Sequence, residues 1–179
     1  MSHTAALLSP RLAGSLAWLS LFALFAFPAF LIWNLVTGDV SQAYVAANPT
    51  LNIAAPPEGW RLWTLLGLDT VEILVTFAIL WQVRGVFAAF ARSGEPTRDV
   101  ARRLYVTGLL LLLQALLAPL VRMAESVLLT LANEVGQREL SVSLGSTEVT
   151  LIIAGGLLIC TGRALGHGAT AVDENRGFI

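Results

Sequence analysis

Asp69 and Glu72 stand in LGLDTVEILVTFAIL, residues 66–80, a stretch that is otherwise apolar apart from two threonines, and Arg122 and Glu125 stand in a second apolar stretch. Each pair is spaced by three, which puts both members on one face of a helix. Charges in such surroundings have three uses. They neutralise one another as a packing and topology device, they hold an ion or pass a proton as intramembrane acids do in transporters, or they snorkel to a polar surface. Counted from the connection at 92–98, Asp69 and Arg122 reach the same depth. The spacing therefore predicts an interhelical cluster in which Arg122 neutralises Asp69 or Glu72, with Glu125 the additional acid nearer the outer surface. The structural role is the expected one.

Other chemistry is sparse. His3 and His167 flank the apolar runs, so no pair of histidines is available to ligate a haem between helices. Cys160 is the one cysteine, which excludes an intrachain disulfide and reads as a small packing residue. No H-E-x-x-H, P-loop, G-x-G-x-x-G or G-x-S-x-G pattern occurs, and Asp173 and Glu174 are adjacent rather than spaced as a catalytic pair. The expectation is a protein that is not an enzyme and needs no metal or cofactor.

The elements that position these residues follow from composition. The 179 residues are 56% hydrophobic and 13% charged, with mean hydropathy +0.73; a soluble domain is nearer a quarter charged. A hydrocarbon core of about 30 Å takes about 20 helical residues to cross. Four runs of that order occur, giving helices at about 12–36, 62–91, 98–131 and 148–166. The first is too long for the about 7–15 apolar residues of a signal peptide, although Arg11 and the VAA at Val45–Ala47 imitate one. The fold class expected is all-α: a single integral membrane domain, 1–179, forming an antiparallel bundle of four transmembrane helices.

Orientation is read from arginine, since the chain has no lysine. With both termini inside, Arg11, Arg84, Arg92, Arg98, Arg102, Arg103, Arg163 and Arg176 lie inside or at the inner edge, against Arg61 and Arg138 outside. This favours N-in, C-in. The net charge of −1 gives no reason to expect direct nucleic-acid binding. In the inner loop RSGEPTRDVARR, Gly94 is placed to end one helix and Thr97 to cap the next, with Asp99 in its first turn. Gly166 and Gly168 read as the end of the last helix, before a polar tail. Outside, Leu140, Val142 and Leu144 alternate with serines as in a short strand, and Thr50–Ala54 is the available partner for a small extracytoplasmic β-hairpin-like cap. Pro28 and Pro119 should kink their helices. Gly155, Gly162 and Gly166 offer close helix packing, the last two as G-x-x-x-G, used within the chain or in a homo-oligomer.

Two stretches, FARSGEPTRDVARRLYVTGLLLL and LSVSLGSTEVTLIIAGGLLICTGRALGHGATAVDENRGFI, resemble a bacterial family of four-helix membrane proteins, domain of unknown function 2975. The first is similar to the family's inner loop entering helix three and the second to its last helix and acidic tail; with the helix count, the likeness covers essentially the whole chain. Pro96 and Thr97 depart from the aromatic and polar residues common there. The resemblance implies a bacterial inner-membrane protein, often encoded beside a small helix-turn-helix regulator that it would bind. Matched position by position, the contact residues would be Arg98, Arg102 and Arg103 in the loop and Asp173, Glu174, Asn175 and Phe178 in the tail. The other partner of the loop arginines is anionic lipid. An ion or solute transporter using Asp69, Glu72 and Arg122 is the alternative.

Overall fold

The computed structural model describes residues 10–93 and 97–176, and every regular element in them is α-helical. The helices are α1 (Pro10–Thr37), α2 (Val40–Ala47), α3 (Trp60–Ser93), α4 (Arg98–Thr130) and α5 (Ser146–Arg176). Three contain segments long and apolar enough to cross a membrane: Trp60–Arg92, Arg98–Thr130 and Ser146–Gly168. α1 has 28 residues, of which Gly14–Ala26 form an apolar stretch among the described residues. It runs unbroken through Pro28, as α4 does through Pro119.

Each long helix packs chiefly on its neighbour in the chain, α1 on α3, α3 on α4 and α4 on α5. All three contacts are antiparallel. Residues 14–21 of α1 share a cleft with 81–92 of α3, and residues 24–28 share one with 77–82. Asp69 of α3 meets Glu125 of α4, while Gln82 and Gly85 meet Arg103. Gly108 of α4 lies against Gly155 of α5, and Tyr105 against Gly162. The starts of α1 and α4 and the ends of α3 and α5 thus share one end, called the inner end after the arginine-based expectation; α2 and residues 131–145 lie at the other, called the outer end. Extensive contact between α1 and α5 is not found among the described residues, so the helices form a row where the sequence suggests a closed bundle. Among the described side chains of α1, Trp18, Phe22, Phe25 and Trp33 are all well exposed.

Glycine sets the α4–α5 spacing. A Cβ at Gly108 would come within 2.6 Å of the Gly155 carbonyl, and one at Gly162 within 2.7 Å of the Tyr105 backbone nitrogen. The backbones touch because side chains are missing. Gly166 differs, with the Ala101 Cβ 3.9 Å away and room for a methyl. The close approach therefore uses Gly155 and Gly162, seven apart, and not the second glycine of the G-x-x-x-G spacing.

Three boundary readings change. α5 passes through Gly166 and Gly168 to Arg176, ten residues beyond the expected end. A helical glycine costs about 1 kcal/mol rather than breaking the helix, and the alanines around it are strong helix formers. Residues 40–47, in the connection between the first two expected helices, form α2, where Asp39 accepts the Gln42 N–H at 3.2 Å. The expected hairpin is absent among the described residues. Residues 139–143 instead run along α4. The Glu139 N–H donates to Thr130 Oγ1 (3.1 Å), the Ser141 N–H to Ser126 Oγ (3.0 Å), and Arg122 Nη2 to the Ser143 carbonyl (3.4 Å). Steps of four along a helix cover about 6.0 Å and steps of two along an extended chain about 6.6 Å, so the two registers stay matched. Thr97 caps α4 as expected, accepting the Val100 N–H at 3.4 Å.

Candidate functional site

The outer half of the α3–α4 seam gathers the four charged residues predicted there. Asp69 and Glu72 from α3 and Arg122 and Glu125 from α4 are close enough to act on one another electrostatically. Their pairing differs from expectation. Arg122 forms its ion pair with Glu148 of α5, Nη2 to Oε1 at 2.5 Å, and not with Asp69 or Glu72. Glu148, third residue of α5, also accepts the Gly145 N–H on Oε2 at 2.6 Å, half of a capping box. Its side chain is 2% exposed, against 42% for Arg122.

Asp69 is held by the Tyr44 hydroxyl, carried in from α2, which donates to Asp69 Oδ2, and Glu125 lies nearby. Burial first, and then the bond to Asp69, hold the Tyr44 phenol well above the ordinary tyrosine range, so it remains a donor. Glu72 Oε1 is buried without a hydrogen-bond partner. The result is three carboxyls and a phenol whose nearest cation is engaged by a fourth carboxylate. Such a set can take up a proton. Among the described residues, no group of three or more His, Cys, Asp and Glu is disposed to hold a metal ion.

The outer segment is fastened above this set by Asn133, 4% exposed. Its side chain donates to the Asn52 carbonyl (2.6 Å) and the Gln137 carbonyl (3.1 Å), and accepts the Ala54 N–H (3.0 Å). Ser41 of α2 adds a bond to the Pro57 carbonyl at 2.8 Å.

At the inner end the loop arginines divide. Arg98 and Arg102 line a groove of about 390 Å³ between α4 and α5, joined by Arg163 and floored by Gly162 and Gly166. Arg103 points to the opposite side of α4, where it pairs with Asp99 at 3.0 Å and reaches Gln82 at 3.5 Å. The sequence reading placed all three in one contact surface; a helix turns successive residues about 100° apart, which separates 102 from 103. Asp173, Glu174 and Asn175 fall on the helical backbone of α5, but their side chains, and Phe178 entirely, lie outside the described residues.

Sequence reasoning missed Tyr44, Glu148 and Arg163 as members of these sites. The signal for Glu148 was the S-T-E start of the last apolar run, a helix-opening acid. Nothing local marks Tyr44, whose partner is 25 residues away. Comparison with known proteins finds no matching family model, no matching curated protein and no matching solved structure.

Proposed function

We propose that the chain is a non-enzymatic protein of the bacterial inner membrane, crossing it four times with both termini in the cytoplasm, and that it engages a cytoplasmic partner through its inner end. The single supporting observation is the groove in which Arg98, Arg102 and Arg163 lie together, next to a last helix that carries Asp173 and Glu174 beyond the membrane segment. Three guanidiniums at one rim suit an acidic partner surface. A small helix-turn-helix regulator is the partner implied by the family resemblance, which rests on the two quoted stretches and the helix count. The test is affinity capture of the full chain in mild detergent. The partner should be lost on deleting Val172–Ile179 or on changing Arg98 and Arg102 to Gln, and an unchanged set of captured proteins would refute the reading.

A second reading, an ion or solute carrier or a subunit of one, is favoured by the unpartnered oxygen of Glu72 beside the Asp69, Glu125 and Tyr44 set. Vesicles carrying the protein and a trapped pH dye would then show proton flux that Glu72→Gln removes. Flux equal to that of empty vesicles would exclude it.

A further inference from the structure

The cleft between α1 and α3 is amphipathic along its length. Its inner part, about 500 Å³, is lined by Arg84, Arg92 and Arg103 together with Trp18 and Trp81, and among the described residues no carboxylate is in that lining. Toward the middle of the helices it continues, sharing Trp81, as a second hollow of about 430 Å³ lined by Leu24, Phe25, Pro28 and Phe77 with Gln82 its one amide. A basic mouth thus opens into an apolar trough. Both tryptophans face outward, Trp18 73% and Trp81 53% exposed.

From this we infer that the α1–α3 cleft is a seat for one anionic phospholipid, its phosphate among Arg84, Arg92 and Arg103 and an acyl chain along the trough. The inference rests on the membrane reading above but not on the cytoplasmic partner. Charge complementarity selects the occupant. Asp99 offsets Arg103 through its bond at 3.0 Å, which leaves, among the described residues, the charges of Arg84 and Arg92 at the mouth for a phosphodiester. A soluble phosphate would use the mouth and leave the trough empty; a zwitterionic lipid would use the trough without needing the charge. Basic pockets between membrane helices on the cytoplasmic side hold such headgroups. Arg103 lies directly over Gly85: a Cβ there would meet Arg103 Nη1 at 2.2 Å, so any larger residue would make the guanidinium of α4 shift from its place across α3. Arg84 is set over the Trp81 ring, 5.3 Å from its centroid, which keeps its charge at the same level.

The full chain carrying Trp33→Phe, Trp60→Phe and Trp63→Phe leaves the two cleft tryptophans as reporters. It is reconstituted in phosphatidylcholine vesicles with a minor fraction of brominated phosphatidylglycerol or, separately, brominated phosphatidylcholine. The brominated anionic lipid should quench more strongly. Changing Arg84, Arg92 and Arg103 to Gln should erase the preference, at about fivefold per arginine, while changing them to Lys should keep most of it. Equal quenching by both lipids in the starting protein, a preference unchanged by the Gln substitutions, or its removal by inorganic phosphate would overturn the lipid seat. Absence of quenching by either lipid would overturn the membrane reading with it.

Discussion

At the scale of single residues, the positions of the intramembrane acids were legible and their partners were not. Asp69, Glu72, Arg122 and Glu125 declare themselves because charge in an apolar helix is costly and must face protein. The choice among partners depends on distances no spacing rule supplies: Arg122 reaches Glu148 because residues 139–145 return along α4 and deliver the start of α5 beside it. Removing the cation should therefore hurt more than removing the acid. Arg122→Gln leaves an enclosed carboxylate with no cation beside it, whereas Glu148→Gln leaves no buried charge and keeps one carbonyl oxygen to accept from one of the two donors. Thermal unfolding in detergent should show the larger fall in Tm for Arg122→Gln, and the reverse order would mean that Arg122 is solvated elsewhere. Tyr44 gives a prediction in pH. Its folded-state pKa is raised above the unfolded value of about 10, so its contribution to stability is complete below that pH and declines as pH rises past it. Alkaline difference spectra of the folded protein and of Tyr44→Phe should coincide through pH values near 10. A tyrosinate step there that Tyr44→Phe abolishes would show the phenol to be free of Asp69.

At the scale of elements, the long helices were legible to within a few residues at most ends because apolar length and caps are local properties. The exception is the end of α5, where glycine in a helix-forming context was read as a stop. The outer cap failed for a different reason. Period-two alternation reports only that one side of an extended chain is covered, and helix hydroxyls cover it as well as a strand does. Ser126, 2% exposed, and Thr130, 0% exposed, supply the ladder, and Leu140, Val142 and Leu144 consequently face away at 62%, 65% and 76% exposure. If the two hydroxyls hold the segment, each contributes about 1 kcal/mol. The combined change Ser126→Ala and Thr130→Val should then lower amide-exchange protection at residues 139–141 by roughly thirtyfold, with the α3–α4 seam near Val86 and Val100 unaffected. Unaltered protection at Glu139 and Ser141 would place the segment's anchor in Arg122 or Asn133 instead.

At the scale of the whole molecule, the property that decides everything else is the solvent. Leu74, Leu116 and Leu157, near the middles of α3, α4 and α5, are 62%, 65% and 66% exposed, and water would make such a surface an aggregation site. Hydrocarbon removes that cost, and it also explains why glycines at backbone contacts rather than large apolar side chains set the α4–α5 spacing. Exposure to lipid and exposure to water are separable by thiol chemistry, because a maleimide reacts with the thiolate and a thiol in hydrocarbon does not ionise. In a Cys160→Ser background, Val135→Cys on the outer connection, where Val135 is 93% exposed, should label from outside intact cells with a membrane-impermeant maleimide. Arg102→Cys at the inner end should label only after the membrane is opened, and Leu116→Cys should resist the reagent in both conditions despite its 65% exposure. Rapid labelling at Leu116→Cys would put water where the proposed four crossings require lipid, and labelling of Arg102→Cys from outside would invert the topology that the arginines imply.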